Sequence, residues 1–236
     1  MIERRCQIAV EEVEFRLAFA VKHGRFARLM DVKIKICGIT NLDDATAAVE
    51  AGADALGFMF HEASPRNIEM ECAAKIIQKL PPWVLKAGVF VNPDPELVMT
   101  ALGNCGLNLL QFHGDESPDF CASFGVMSMK AFRMKNAESL ERMKDYRTDV
   151  YLLDSYVAGK PGGTGESFNW DLAVEAKKFG KPIFLAGGLT PENVGEAVRK
   201  VQPYGVDVSS GVESSPGKKD HQKIWDFVTA ARKASG

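Results

Sequence analysis

From residue 32 onward the chain alternates eight times between a short apolar segment and a longer segment of helical character. The short segments, at 32–37, 54–60, 85–91, 107–112, 127–132, 150–154, 183–187 and 205–209, are rich in Val, Ile, Leu and Phe. Near-continuous apolar runs of this length read as parallel strands buried on both faces. The intervening segments, at 42–51, 68–80, 95–103, 117–124, 137–146, 169–179, 191–201 and 221–234, open with capping residues or proline, as in Thr190-Pro191-Glu192-Asn193. Strand–helix units in this number predict an α/β protein, a closed (β/α)8 TIM barrel in a single domain over residues 32–236. The open doubly wound sheet fits less well, because the first strand-to-helix turn has no G-x-G-x-x-G.

Residues 1–31 stand apart as an N-terminal extension. Val10, Val13, Leu17 and Ala20 recur at helical spacing, which predicts an extra amphipathic helix. The segment lacks the uninterrupted apolar core of a signal peptide, and its glutamates argue against a transit peptide. Met30, directly before the first strand, is an alternative start.

The formal net charge of −2 gives no reason to expect nucleic acid as a partner. No apolar run is long enough to span a bilayer. The five cysteines are scattered with no CxxC pair, which reads as reduced thiols in the cytoplasm rather than a disulfide or zinc framework. No cofactor and no metal are expected. The expected partner is a small-molecule substrate, with the protein a monomer or homodimer.

In a barrel of this kind chemistry sits at the carboxyl ends of the strands. Those ends carry Cys37, then Ser64-Pro65-Arg66, Asn92, Gln111 and His113, Arg133, Asp154, Gly187-Gly188, and Ser209-Ser210-Gly211. The last two loops, small-residue turns after strands seven and eight, read as a phosphate cradle of exposed N–H groups, with a short helical turn adding its positive end. Cys37 and Asp154 face each other across the mouth as a candidate proton acceptor and donor. Arg66 offers a planar fork for a substrate carboxylate or, alternatively, one side of a surface salt bridge. His113 reads either as a substrate contact or as a hydrogen-bond partner of a neighbouring loop. Gly159-Lys160-Pro161-Gly162-Gly163-Thr164-Gly165 reads either as a candidate lid or as a plain flexible connection. Cys72, Cys105 and Cys121 read as small buried hydrophobes. Lys35 is taken to point to the opposite face of its strand from Cys37; a Cys37 thiolate would need a group to favour it, either Lys35 nearby, the amide N–H groups opening the next helix, or both.

The ordered motifs KICGIT (35–40), GFMFHEASPRNI (57–68), GVFVN (88–92), LLQFHGDE (109–116), LLDS (152–155) with GGTG (162–165), LAGGLTPENV (185–194) and VDVSSGVE (206–213) resemble phosphoribosylanthranilate isomerase. That enzyme performs an Amadori rearrangement in tryptophan biosynthesis. The resemblance implies Cys37 as general base, Asp154 as general acid and Arg66 as the holder of the anthranilate carboxylate. It implies that Gly187, Gly188, Ser209, Ser210 and Gly211 hold the phosphate, with Asp207 and His113 among the substrate-binding residues. The competing expectations are another phosphosugar aldose–ketose isomerase of the same barrel class and a non-catalytic phosphate-ligand binding barrel.

Overall fold

The computed structural model describes residues 31–154 and 170–236. The expected N-terminal helix and the candidate lid at 159–165 lie outside the described residues. Eight strands close into a parallel barrel in chain order: β1 (Lys33–Cys37), β2 (Ala55–Met59), β3 (Leu85–Phe90), β4 (Leu109–Phe112), β5 (Ser128–Arg133), β6 (Val150–Asp154), β7 (Ile183–Ala186) and β8 (Gly205–Val208). The ring is completed by β1 pairing with β8, Lys33 opposite Gly205 and Ile36 opposite Val208. Closure rules out the open sheet.

The strands alternate as parallel barrel strands must. In β6, Tyr151 and Leu153 join the large cluster packed against the helices, whereas Val150 and Leu152 join a smaller cluster with Ala87, Leu109, Met129, Ala131, Phe184 and Ala186 inside the barrel. The interior is filled rather than hollow. Phe184 occupies the space left by Gly205, where a Cβ would lie 2.4 Å from the ring. On β1 the same alternation sends Ile34 and Ile36 outward and turns Lys35 and Cys37 inward together. This corrects the placement of Lys35 on the opposite face: residues two apart in a strand share a face.

Eight helices cover the barrel: α1 (Leu42–Glu50), α2 (Met70–Ile77), α3 (Pro95–Cys105), α4 (Pro118–Ala122), α5 (Glu138–Glu141), α6 (Trp170–Ala176), α7 (Val194–Val201) and α8 (His221–Ser235) among the described residues. Local chemistry sets their starts. Asn41 caps α1 by accepting from the Asp44 N–H at 2.8 Å, and Asp220 caps α8 through the Lys223 N–H. Pro95 and Pro118 stand at the first positions of α3 and α4. Helix α5 is much shorter than the expected 137–146. Beyond it the chain tightens into turns in which the N–H groups of Lys144 and Tyr146 bond three residues back. The Tyr151 hydroxyl donates to the carbonyls of Met143 and Tyr146 and so ties these turns to β6.

Cys105 and Cys121 are buried as expected, and burial pushes the Cys121 thiol up to about 12. Cys72 departs from expectation and is exposed on α2. A helix covering a barrel has one apolar face, and Cys72 falls outside it, next to the buried Ala73.

After β8 the chain makes a three-residue 3-10 turn, Ser210–Val212, and then a hairpin, β9 (Glu213–Ser215) with β10 (Lys218–Lys219). The hairpin braces the mouth. The Gly217 carbonyl accepts from the Thr40 hydroxyl at 2.6 Å, and Gly217 lies so near the Pro65 carbonyl that a Cβ would stand 2.9 Å from its oxygen. The loops after β1 and β2 are thereby held against one another.

Candidate active site

Cys37 is the last residue of β1 and is 6% exposed. Gly38 follows with φ +76°, and the N–H groups of Gly38 and Ile39 both donate to the Gly57 carbonyl at 2.9 Å. The turn is thereby pinned to β2. Gly57 leaves room for the thiol: a Cβ there would lie 2.7 Å from Cys37 Sγ and 3.1 Å from Lys35 Nζ. Lys35 is fully buried and donates to Asp207 Oδ1 at 2.9 Å. Burial pushes the Cys37 thiol above its ordinary range; Lys35 pulls it back, Asp207 adds to the rise and Lys219 opposes it.

Asp154 ends β6 on the other side of the mouth. Its Oδ2 lies 3.0 Å from His113 Nε2, and His113 Nδ1 lies 3.0 Å from Gln111 Nε2. In this orientation the Gln111 amide donates to Nδ1, His113 Nε2 carries the proton toward Asp154, and Gln111 Oε1 is left buried without a partner among the described residues. Turning the amide over would make Nδ1 the donor, and His113 Nε2 would then accept from a protonated Asp154. Of the two expectations for His113, the hydrogen-bond partner is the geometry present, and the partner is the candidate acid itself.

The loop carrying His113 is fixed by a buried ion pair. Glu116 bonds Lys130 at 2.9 Å and accepts from the N–H groups of Asn92 and Gly114, while Lys130 donates to the Gly114 carbonyl at 2.7 Å. Gly114 has to be glycine for steric reasons, since a Cβ would stand 2.3 Å from Asn92 Oδ1.

Arg66 is not a free fork. Its Nε and Nη2 donate to the two oxygens of Glu213 at 2.8 and 2.7 Å. Glu213 also accepts from Lys219, whose Nζ reaches the Ser209 carbonyl at 3.2 Å. The Arg66 side chain crosses over Gly38, where a Cβ would meet its Cδ at 2.7 Å. Glu213 takes one edge of the guanidinium. The Nη1 edge has no hydrogen-bond partner among the described residues and remains for a second anion.

Burial alone would raise the Glu213 carboxyl, but hydrogen bonds and charge from Arg66 and Lys219 outweigh it and hold it below the usual carboxylate range. A depressed folded-state pKa contributes stability above the unfolded value and loses it as pH falls through the folded one. The unfolding free energy of the protein therefore falls on acidification, and falls less steeply in Glu213→Gln. Parallel urea titrations across the acid range check this, and equal slopes would remove Glu213 as the source.

The small-residue loops meet at the carboxyl ends of β7 and β8. Gly187 and Gly188 have φ +81° and +65°, a conformation that favours glycine. Asn193 ties this loop down by donating to the Gly188 carbonyl and accepting from the Thr190 N–H. Gly211, within the 3-10 turn, touches the Leu189 carbonyl so closely that a Cβ would overlap its oxygen. The loop of Ser209, Ser210 and Gly211 thus abuts, through Gly211 and Leu189, the loop that carries Gly187 and Gly188. Asp207 is not part of either loop. Its carboxylate lies inside the barrel, bonded to Lys35 beneath Cys37.

Four residues that shape this site escaped sequence reasoning: Glu116 and Lys130, which hold the His113 loop, and Glu213 and Lys219. A glutamate ending the VDVSSGVE run and a lysine pair six residues on were visible signals of charge.

The family model for N-(5'-phosphoribosyl)anthranilate (PRA) isomerase matches residues 34–230. The chain belongs to the phosphoribosylanthranilate isomerase family. An N-(5'-phosphoribosyl)anthranilate isomerase from Trichlorobacter lovleyi is 55% identical over 203 residues, which cover 86% of this chain and 99% of the relative. The crystal structure of phosphoribosylanthranilate isomerase from Thermotoga maritima superposes with a TM-score of 0.82 at 43% identity, over 86% of this chain and 99% of that one. A second crystal structure of a phosphoribosylanthranilate isomerase holds reduced 1-(o-carboxyphenylamino)-1-deoxyribulose 5-phosphate; it superposes with a TM-score of 0.78 at 42% identity, over the same shares of the two chains. Among the described residues no helix is long and apolar enough to cross a membrane.

Proposed function

We propose that this member of the phosphoribosylanthranilate isomerase family converts N-(5-phosphoribosyl)anthranilate to 1-(2-carboxyphenylamino)-1-deoxyribulose 5-phosphate, the Amadori step of tryptophan biosynthesis. The observation that carries the reading is the pairing of a thiol and a carboxyl at the carboxyl ends of β1 and β6, beside a glycine cradle at β7 and β8. The ligand held by the relative has a phosphate at one end and an aromatic carboxylate at the other. This chain offers the glycine loops after β7 and β8 for the first and, for the second, the Nη1 edge of Arg66, which has no partner among the described residues.

In the mechanism we assign, Asp154 protonates the furanose ring oxygen. The ring opens to a Schiff base, whose iminium acidifies the C2′ proton. Cys37 takes that proton as thiolate, the C–H electrons flow into the iminium, and the resulting enolamine tautomerises to the ketone product. His113 and Gln111 hold Asp154 and adapt to its protonation. Ring opening breaks the C1′–O4′ bond as the nitrogen lone pair forms the C=N bond; the iminium then serves as electron sink, and Asp154 and Cys37 act by proton transfer alone. The test is turnover: purified protein mixed with phosphoribosylanthranilate is expected to abolish the substrate's fluorescence. A protein that binds the substrate without consuming it would be a binding barrel. One that ignores it but isomerises another phosphosugar would belong to the rival activity.

Arg66→Ala is expected to raise KM far more than it lowers kcat, because the contact is to a part of the substrate distant from the reacting carbons. Loss of one partner of a buried charged pair costs about 2–5 kcal/mol, and the 22% exposure of the Arg66 side chain places this case toward the lower end. Steady-state kinetics decide it: an unchanged KM with kcat alone reduced would contradict the carboxylate role.

A further inference from the structure

Lys35 is the largest fully buried side chain that the mechanism above leaves unused. A lysine inside a barrel is costly unless its charge is matched, and Asp207 matches it at 2.9 Å. The match does not explain why the pair is there, since two apolar residues would fill the same space at less cost. Its position does. The ammonium and the Cys37 sulfur border the same gap above Gly57, within 3.1 and 2.7 Å of one point.

We propose that Lys35 is a positioning residue for the isomerisation: its ammonium, gripped by Asp207, stands against the Cys37 sulfur and supplies the positive charge that lets the sulfur serve as base. The proposal rests on the reading of Cys37 as general base. Among the described residues, the charged groups that act on the sulfur each have a place in it. Lys35 comes from β1, Asp207 from β8, Lys219 from β10 and Arg66 from the loop after β2. Arg66 and Lys219 are both tied to the one carboxylate of Glu213. Burial also pulls Lys219 below its ordinary range despite that partner. Burial works against Lys35 too, but there Asp207 and Cys37 outweigh it and keep the group charged. Lys35 is therefore the dependable cation beside the thiol, and Asp207 has two opposed effects. It anchors Lys35, and its own negative charge disfavours the thiolate.

That opposition gives the experiment a signature no packing defect shares. The rate of Cys37 alkylation by iodoacetamide follows its thiolate fraction, and peptide mass spectrometry of the full chain separates Cys37 from the other cysteines. Lys35→Met is expected to move the pH midpoint of Cys37 alkylation upward by about one unit or more, slowing it about tenfold at fixed pH, with kcat falling as well. Asp207→Asn is expected to move the midpoint downward. Should Lys35→Met fail to fold around an orphaned Asp207, the double variant Lys35→Met/Asp207→Asn removes both charges together. Its midpoint should still rise, because Lys35 acts on the thiol more strongly than Asp207 does. A folded single or double variant with the wild-type midpoint overturns the proposal. Turnover that survives Cys37→Ser overturns the base assignment and this inference with it. An inactive Cys37→Ser alongside unmoved midpoints overturns the inference alone.

Discussion

Cys37→Ser and Asp154→Asn are each expected to lose turnover by about a hundredfold or more, the usual contribution of one positioned acid or base, with the barrel still folded. The serine hydroxyl is far too weak an acid to furnish a basic oxyanion at neutral pH, and the cations around the sulfur do not close that gap. The swap itself is mild: the smaller oxygen fits the gap that Gly57 leaves for Sγ. In Asp154→Asn the new amide would keep a hydrogen bond to His113, which lies 3.0 Å from the present carboxylate, but an amide has no acidic proton to give to the ring oxygen. The two losses should not multiply in the double variant, since each group serves one reaction path. The measurements are kcat with phosphoribosylanthranilate and circular dichroism for the fold. A variant keeping more than about a tenth of wild-type kcat, with its fold intact, would show that its residue has been given the wrong role.

The barrel was legible because its code is local. Buried strands, capped helices and their alternation repeat in the sequence, and each strand stands within a residue or two of its expected place. The helix ends were less so. Nothing local in 137–146 announces that Tyr151, on the next strand, will take the carbonyls of Met143 and Tyr146. The site was legible as a set of strand-end residues and not as a network. Arg66 and Glu213 are 147 positions apart, and His113 and Asp154 are 41 apart. Their pairing depends on closure and on the β9–β10 hairpin, which brings Glu213 and Lys219 back over the mouth. The hairpin itself had a local signal, Pro216-Gly217 between two short polar runs. Lys35 is the instructive error. The period of a strand is two, so any reading that turns Cys37 into the barrel turns Lys35 in with it, and that makes its charge a matter for the thiol.

Two glycine-to-alanine changes, one chemical step apart from wild type, should have opposite signs. Gly103 lies within α3, and a Cβ there would meet nothing within 4 Å. Gly103→Ala is expected to stabilise the protein by about 0.5–1 kcal/mol through backbone entropy alone, with kinetics unchanged. Gly211 sits where the β8 loop abuts the β7 loop, and its added Cβ would overlap the Leu189 carbonyl oxygen, with the Leu189 carbonyl carbon at 3.0 Å and Val208 Cγ2 at 3.2 Å. The nearest obstacle is backbone, so no rotamer change relieves it. The loops must part, and overpacking of this kind costs about 1–3 kcal/mol or more. Parting them also spreads the two loops that, in the proposed reading, hold the phosphate between them. Gly211→Ala should therefore lower Tm by several degrees, about 2–4 °C per kcal/mol for a chain of this size, and raise KM about tenfold or more. Inorganic phosphate should weaken in parallel as an inhibitor. Thermal melts and inhibition constants on the two variants side by side settle the matter: a Gly211→Ala protein as stable as wild type, with KM unmoved, would mean that the two loops do not hold the phosphate between them.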